Sequence, residues 1–174
     1  MRITAIVGNP RSRSKTYGVA EELAGQLAAR LTADGETSDV ELVDLADHGS
    51  SLLEWGHPGV GRIVRRVCES DVAVFVSPTY KATYTGLLKL FVDQLPMDAL
   101  SGVTAIPVMV GAAPQHSLAV EAHLRPLLVE VGAVCPTRGL YVIDSQIDRL
   151  PETVGDWYET SARALRRAVL GKGA

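Results

Sequence analysis

The stretch Ser77-Pro-Thr-Tyr-Lys-Ala-Thr-Tyr-Thr-Gly86 joins two runs of different character. Before it stands the apolar run Val72-Ala-Val-Phe-Val76, and after it Leu87-Leu-Lys-Leu-Phe-Val-Asp93, which has a helical pattern. A strand that ends in Pro, Tyr and small hydroxyl residues and restarts as a helix makes a shallow ledge at the carboxyl edge of a sheet. Open α/β sheets bind ligands at that edge. A second stretch has the same setting. Gly8-Asn-Pro-Arg-Ser-Arg-Ser-Lys-Thr16 directly follows the apolar run Ile3-Thr-Ala-Ile-Val7. The two together predict one seat for a phosphate and one for a flat ring.

Working outward, strand and helix alternate along the chain. Residues 2–7 read as a buried strand and 15–33 as a helix, with Val19, Leu23, Leu27 and Leu31 spaced by four. Asp39–Asp44 alternates apolar and polar, as a partly exposed strand does. Residues 46–58 read as an irregular loop broken by Gly49, Gly56 and Pro58. A short helix over 60–69 precedes the strand 72–76, and a helix over 84–94 stops near Pro96. Residues 103–110 form the fourth strand, with Pro107 awkward inside it because proline removes a ladder donor. A helix over 117–131, a strand over 138–143 and a helix over 152–169 complete the pattern, and Gly171–Ala174 fray.

Five strands alternating with helices predict an α/β fold with a parallel, doubly wound sheet. The most apolar strands, 2–7, 72–76 and 103–110, belong at its centre, and the polar 39–44 at an edge. That gives a flavodoxin-like order 2-1-3-4-5, with the ligand at the switch between the first and third strands.

The 174 residues predict a single domain over 1–174, long enough to bury a core unaided. Apolar residues make up 47% of the chain, yet no run approaches the roughly 20 needed to span a membrane. The first residues enter a strand at once and carry no signal-peptide pattern, so a cytoplasmic location is expected. Cys68 and Cys135 lack metal-ligand spacing and fit two buried free thiols in a reducing cytoplasm. A net charge of −3 and 5% aromatic residues argue against a nucleic-acid partner.

The loop Gly8–Thr16 is neither a Walker loop nor a dinucleotide Gly-x-Gly-x-x-Gly. It offers the hydroxyls of Ser12, Ser14 and Thr16, the guanidiniums of Arg11 and Arg13, and free N–H groups at a helix start. Those amides and the helix dipole favour a phosphate monoester. An ordinary capped helix, with Ser14 alone as N-cap, accounts for the same residues about equally well. On the ledge, Thr79, Tyr80 and Lys81 can give backbone N–H groups to a ring edge, and Tyr80 or Tyr84 can give contact area. Lys81 can bring positive charge near an electron-rich ring or a second phosphate. A strand-ending turn with Tyr84 as a partly buried anchor is the plainer alternative. In Gly111-Ala-Ala-Pro-Gln-His-Ser117, Gly111 and Ala112 leave room for close backbone approach. His116 there reads slightly better as solvated than as a donor. Pro126 cannot donate to the carbonyl of Ala122, so the fourth helix must bend or widen over 122–126.

These residues resemble the NAD(P)H-dependent FMN reductase family of the flavodoxin-like fold, over roughly residues 2–143. Gly8–Thr16 is similar to that family's Gly-Ser-x-Arg-x-x-Ser-x-Ser/Thr phosphate loop, with Asn9 in place of the usual Ser. Pro78-Thr-Tyr-Lys-Ala-Thr-Tyr-Thr-Gly-Leu-Leu-Lys89 is the more specific match. Its Tyr-Lys pair, with His116–Pro126, resembles the branch serving two-component monooxygenases, including alkanesulfonate systems. The resemblance implies FMN and NAD(P)H as cofactors, hydride transfer to the flavin, and a homodimer or homotetramer. It implies that Arg11, Ser14, Lys15 and Thr16 hold the FMN phosphate. Pro78, Thr79, Tyr80 and Lys81 would line the isoalloxazine, with Gly111 and Ala112 against its other edge. It also implies delivery of reduced FMN to a partner monooxygenase, and a π-turn near His123 or Ala122 at a subunit interface, with His123 preferred. No catalytic side chain and no metal is expected. A quinone or azo reductase that keeps its FMN, a flavodoxin-type electron carrier, and a flavin-free scaffold are the competing expectations.

Overall fold

The computed structural model describes residues 1–32 and 37–171. Five strands form one parallel sheet: β1 (Arg2–Val7), β2 (Asp39–Asp44), β3 (Val72–Pro78), β4 (Thr104–Gly111) and β5 (Leu140–Ile143). Their spatial order is β2-β1-β3-β4-β5, the flavodoxin-like order expected. Every residue of β3 and β4 is buried, while the first three residues of the edge strand β2 are exposed. This is the gradient of apolarity along the sequence turned into position in the sheet.

Helices α1 (Lys15–Leu31) and α5 (Leu150–Leu170) cover one face of the sheet. Val19, Leu23 and Leu27 of α1 pack there with Trp157 and Leu165 of α5 against Ile3, Val74 and Val108. Helices α2 (Pro58–Cys68), α3 (Gly86–Val92) and α4 (Arg125–Glu130) cover the other. On that face Ile63, Phe91, Leu124 and Leu128 meet Ile6, Phe75 and Met109. Side chains alternate across each strand, so β1 supplies Ile3, Ala5 and Val7 to one layer and Ile6 to the other.

Several segments differ from expectation. The loop expected over 46–58 carries two 3-10 turns, Leu45–His48 and Ser51–Leu53, and α2 already begins at Pro58. Proline suits a helix's first position, because its missing N–H has no partner there anyway. Pro107 lies inside β4 without breaking it. It is in register with Phe75 of β3, and β5 pairs only from Val108 onward, so its missing donor falls before that ladder begins. The expected helix over 117–131 is a 3-10 turn Pro114–His116, a π-turn Val120–Leu124 and then α4. The Arg125 N–H bonds to the Val120 carbonyl, five residues back. Widening by one residue accommodates Pro126. Residue 33 of the first helix and the fraying assigned to 172–174 lie outside the described residues.

Candidate functional site

All five strands run in parallel, so every loop that follows a strand emerges at one edge. Three of these loops are bound to each other there. The Gly8 N–H donates to the Val76 carbonyl (2.8 Å), and Thr79 N–H donates to the Val110 carbonyl (2.7 Å). Thr85 caps α3 by accepting from Leu88 N–H (3.1 Å), and its hydroxyl also donates to the Gly8 carbonyl. Gly8 has to be glycine at this junction, because a Cβ would lie 2.6 Å from that of Leu88. Gly111 is tighter still: a Cβ would lie 2.0 Å from the Tyr141 hydroxyl and 3.1 Å from Thr79 Oγ1. That hydroxyl donates to the Ala113 carbonyl (2.8 Å), which fastens the third loop to β5.

The first loop is ordered from inside. Asn9 is buried; its amide donates to Thr16 Oγ1 (3.0 Å) and its carbonyl oxygen accepts from Arg11 N–H (2.9 Å). Asp44, at the end of β2, accepts from Arg13 N–H (2.9 Å), and Ser12 donates to Asp47 (2.9 Å). Arg13 takes a left-handed backbone (φ +52°), a strained choice for a residue with a Cβ. Its guanidinium lies 4.5 Å from the centre of the Tyr17 ring. Ser14 occupies the N-cap position of α1, but its hydroxyl makes no capping bond. Ser14 Oγ is buried and has no partner. The reading of Ser14 as a simple side-chain cap therefore fails.

These loops enclose a cavity of about 630 Å³. Of the residues singled out in the sequence, Arg11, Ser14, Lys15, Thr16, Pro78, Thr79, Tyr80, Gly111 and Ala112 line it together. Thr79 Oγ1 is a second buried oxygen without a partner. Lys81 does not line the cavity. It is exposed at the tip of a two-residue turn closed by reciprocal Tyr80–Thr83 backbone bonds, with Lys81 (φ +52°) and Ala82 (φ +65°) both left-handed. Tyr84 packs half-buried under the ledge, and His116 lies outside the cavity lining.

Asn9, Arg13, Val110 and Asp144 also line the cavity. Asp144 follows β5, and its Oδ1 lies 2.8 Å from Lys15 Nζ. The approach misses hydrogen-bond direction, so the contact is one of charge. The signal for Asp144 was the parallel sheet itself, since the fourth loop of the edge must border the third. Among the described residues no three His, Cys, Asp or Glu side chains gather as a metal site. The two free thiols, Cys68 and Cys135, are half-buried and not fully buried as expected, and that partial burial pushes both above their ordinary pKa. No helix among the described residues is long and apolar enough to cross a membrane.

Comparison with known proteins identifies the family. Residues 1–148 match the family described as NADPH-dependent FMN reductase. The FMN reductase (NADPH) of Escherichia coli K12 is 29% identical over 147 residues, which cover 84% of this chain and 75% of that protein. The NADH-dependent FMN reductase SfnF of Pseudomonas putida is 28% identical over 86% of this chain and 81% of its own. The apo crystal structure of the NADH:FMN oxidoreductase EmoB superposes with a TM-score of 0.75 at 30% identity, covering 91% of this chain and 89% of that one. An oxidoreductase from Corynebacterium diphtheriae reaches 0.81 at 27% identity over 99% of both chains. The chain belongs to the NADPH-dependent FMN reductase family and is an NAD(P)H:FMN oxidoreductase.

Proposed function

We propose that FMN binds in the 630 Å³ cavity with its phosphate on the first loop and its ring on the ledge. The observation that carries this reading is the pair of buried, unpartnered hydroxyls, Ser14 and Thr79, in a cavity that three cationic side chains also line. A buried polar atom left unpaired costs about 1–3 kcal/mol, which a ligand can return. Ser14 Oγ donates to the phosphate, flanked by Arg11 and Lys15. Thr16 Oγ1 accepts from Asn9 and so keeps its own O–H to donate. Pro78, Thr79 and Tyr80 support the isoalloxazine from one side, and Gly111 and Ala112 face its other edge. Lys81 reaches the ring only from the rim of the ledge.

Bound FMN supplies an electron sink that accepts a hydride from a nicotinamide. The protein's task is to hold two flat rings in contact and to exclude water between them. The ledge stays open: Tyr80 is 50% exposed and Ala112 is exposed. An open site admits a nicotinamide from solvent and lets a reduced flavin leave. FMN then acts partly as a substrate, and a flavin-dependent monooxygenase receives the product. We place the enzyme in the cytoplasm as a homodimer or homotetramer, which exposed Leu90 on α3 and Val129 on α4 would favour. His123 lies exposed in the π-turn, a position suited to such an interface.

One specific observation keeps a second reading in view. The FMN-dependent NADPH-azoreductase of Staphylococcus haemolyticus is 29% identical over 107 residues. The deciding experiment is NADH and NADPH oxidation with FMN, FAD, riboflavin or a quinone as acceptor. Rates that saturate with free FMN support release to a partner. Quinone reduction by a tightly held flavin, with no turnover of added FMN, would favour the azoreductase-like reading.

A further inference from the structure

Asp144 is out of place in a phosphate seat. A phosphate monoester carries about −1.5 to −2 charges at neutral pH. A site built only for affinity would surround it with donors. Here the same cavity wall that holds Arg11, Ser14 and Lys15 also holds a carboxylate, and Lys15 Nζ sits 2.8 Å from Asp144 Oδ1. The pair is anchored from two elements, Lys15 at the first position of α1 and Asp144 directly after β5. No acidic residue stands in the first turn of α1 itself; Asp44 holds the loop before it through Arg13 N–H, and Asp144 is the carboxylate paired with Lys15 of that turn.

We infer that Asp144 competes with the flavin phosphate for Lys15 and thereby sets how readily FMN leaves the enzyme. It is a positioning and specificity-determining residue that acts through charge. The inference rests on the proposed FMN site. Asp144 weakens binding of FMN and leaves binding of riboflavin, which has no phosphate, untouched. Breaking an exposed ion pair of this kind before the phosphate can take Lys15 corresponds to about fivefold in Kd.

The test is titration of FMN and of riboflavin onto the whole protein, read by flavin fluorescence, for the wild type, Asp144→Asn and Asp144→Ala. The expected result is FMN bound about fivefold more tightly by both variants at low salt, with riboflavin unchanged. The gain should shrink in 1 M salt, where the screening length falls to about 3 Å. It should also largely vanish in a Lys15→Gln background. Unchanged or weaker FMN binding by Asp144→Asn would overturn the inference while leaving the site intact. An equal gain for riboflavin would overturn it too, because the phosphate would then play no part. A wild-type protein that binds neither flavin would instead bring down the proposed site and this inference with it.

Discussion

At the scale of single residues, the cavity is defined by two hydroxyls with nothing to bond and two positions with no room. Ser14 Oγ and Thr79 Oγ1 are the unbonded pair. Ser14→Ala is expected to weaken FMN about tenfold, from one lost hydrogen bond to a charged group in a partly solvated site. Riboflavin affinity should not change, and isothermal titration with both flavins checks the split. Gly111 is the clearer steric case. Gly111→Ala places a methyl 2.0 Å from the Tyr141 hydroxyl and 2.8 Å from Tyr141 Cζ, so the ring must move and release Ala113. Overpacking of this kind costs about 1–3 kcal/mol. Urea unfolding should show that loss, and Tyr141→Phe in the same chain should recover part of it by removing the nearest atom. Gly111 and Ser14 were both legible in the sequence as types that suit a phosphate or ring seat. What could not be read was that Ser14 leaves its own helix uncapped. That follows from Asn9 and Asp44 having already organised the loop around it. Asp144 was missed for a different reason: nothing in the run Val142-Ile-Asp144 marks it, and only the sheet order brings it to Lys15.

At the scale of elements, the strands were the most legible parts, because burial on both faces demands unbroken apolar runs. The short turns over 45–53 were illegible, since three or four residues carry no period. The π-turn was half legible. Pro126 announces a defect, but not what holds it. That work falls to Glu121 and Arg125. Glu121 accepts from Arg125 Nε and from the Gly139 N–H (2.6 Å), while Arg125 donates to the Cys135 carbonyl (2.7 Å) and to that of Thr137. The pair therefore ties the widened turn to the segment entering β5. The Arg125 guanidinium holds the Glu121 carboxyl below its ordinary 4.5, helped by the Gly139 amide and opposed by partial burial. A carboxyl with a lowered folded pKa adds stability above its unfolded pKa and loses it as pH falls through the folded value. Glu121→Gln should cost about 1 kcal/mol at pH 7, the net worth of a charge-assisted bond discounted for its partial exposure. The difference from wild type should narrow as pH falls below the ordinary 4.5 and through the lowered folded value. Thermal melts of both proteins from pH 3 to 8 measure it, and a constant gap across that range would mean that charge is not what Glu121 contributes.

At the scale of the whole molecule, the two apolar layers share one sheet, and this makes a prediction about cooperativity. Val74 of β3 packs in one layer and its neighbour Phe75 in the other, so neither layer can be lost without exposing the back of the same strand. With both layers packed on the same strands, they should unfold together in one step, as smaller two-state proteins do. The two tryptophans provide unequal probes of that step. Trp157, on the sheet-facing side of α5, is 9% exposed and donates to the Arg138 carbonyl (2.9 Å), whereas Trp55 is 76% exposed beyond the 3-10 turn Ser51–Leu53. Nearly all the fluorescence change on unfolding should therefore come from Trp157, and Trp55→Phe should leave the midpoint in place. Urea transitions followed by that fluorescence and by far-ultraviolet circular dichroism should coincide. Free FMN at 100 times its Kd should then raise the stability of the entire chain by about 2.7 kcal/mol, because it binds only the folded form. A fluorescence transition that moves with FMN while the dichroism transition stays behind would show that the α5 layer and the sheet come apart. In that case the ligand edge would belong to a smaller cooperative unit than the 174-residue chain.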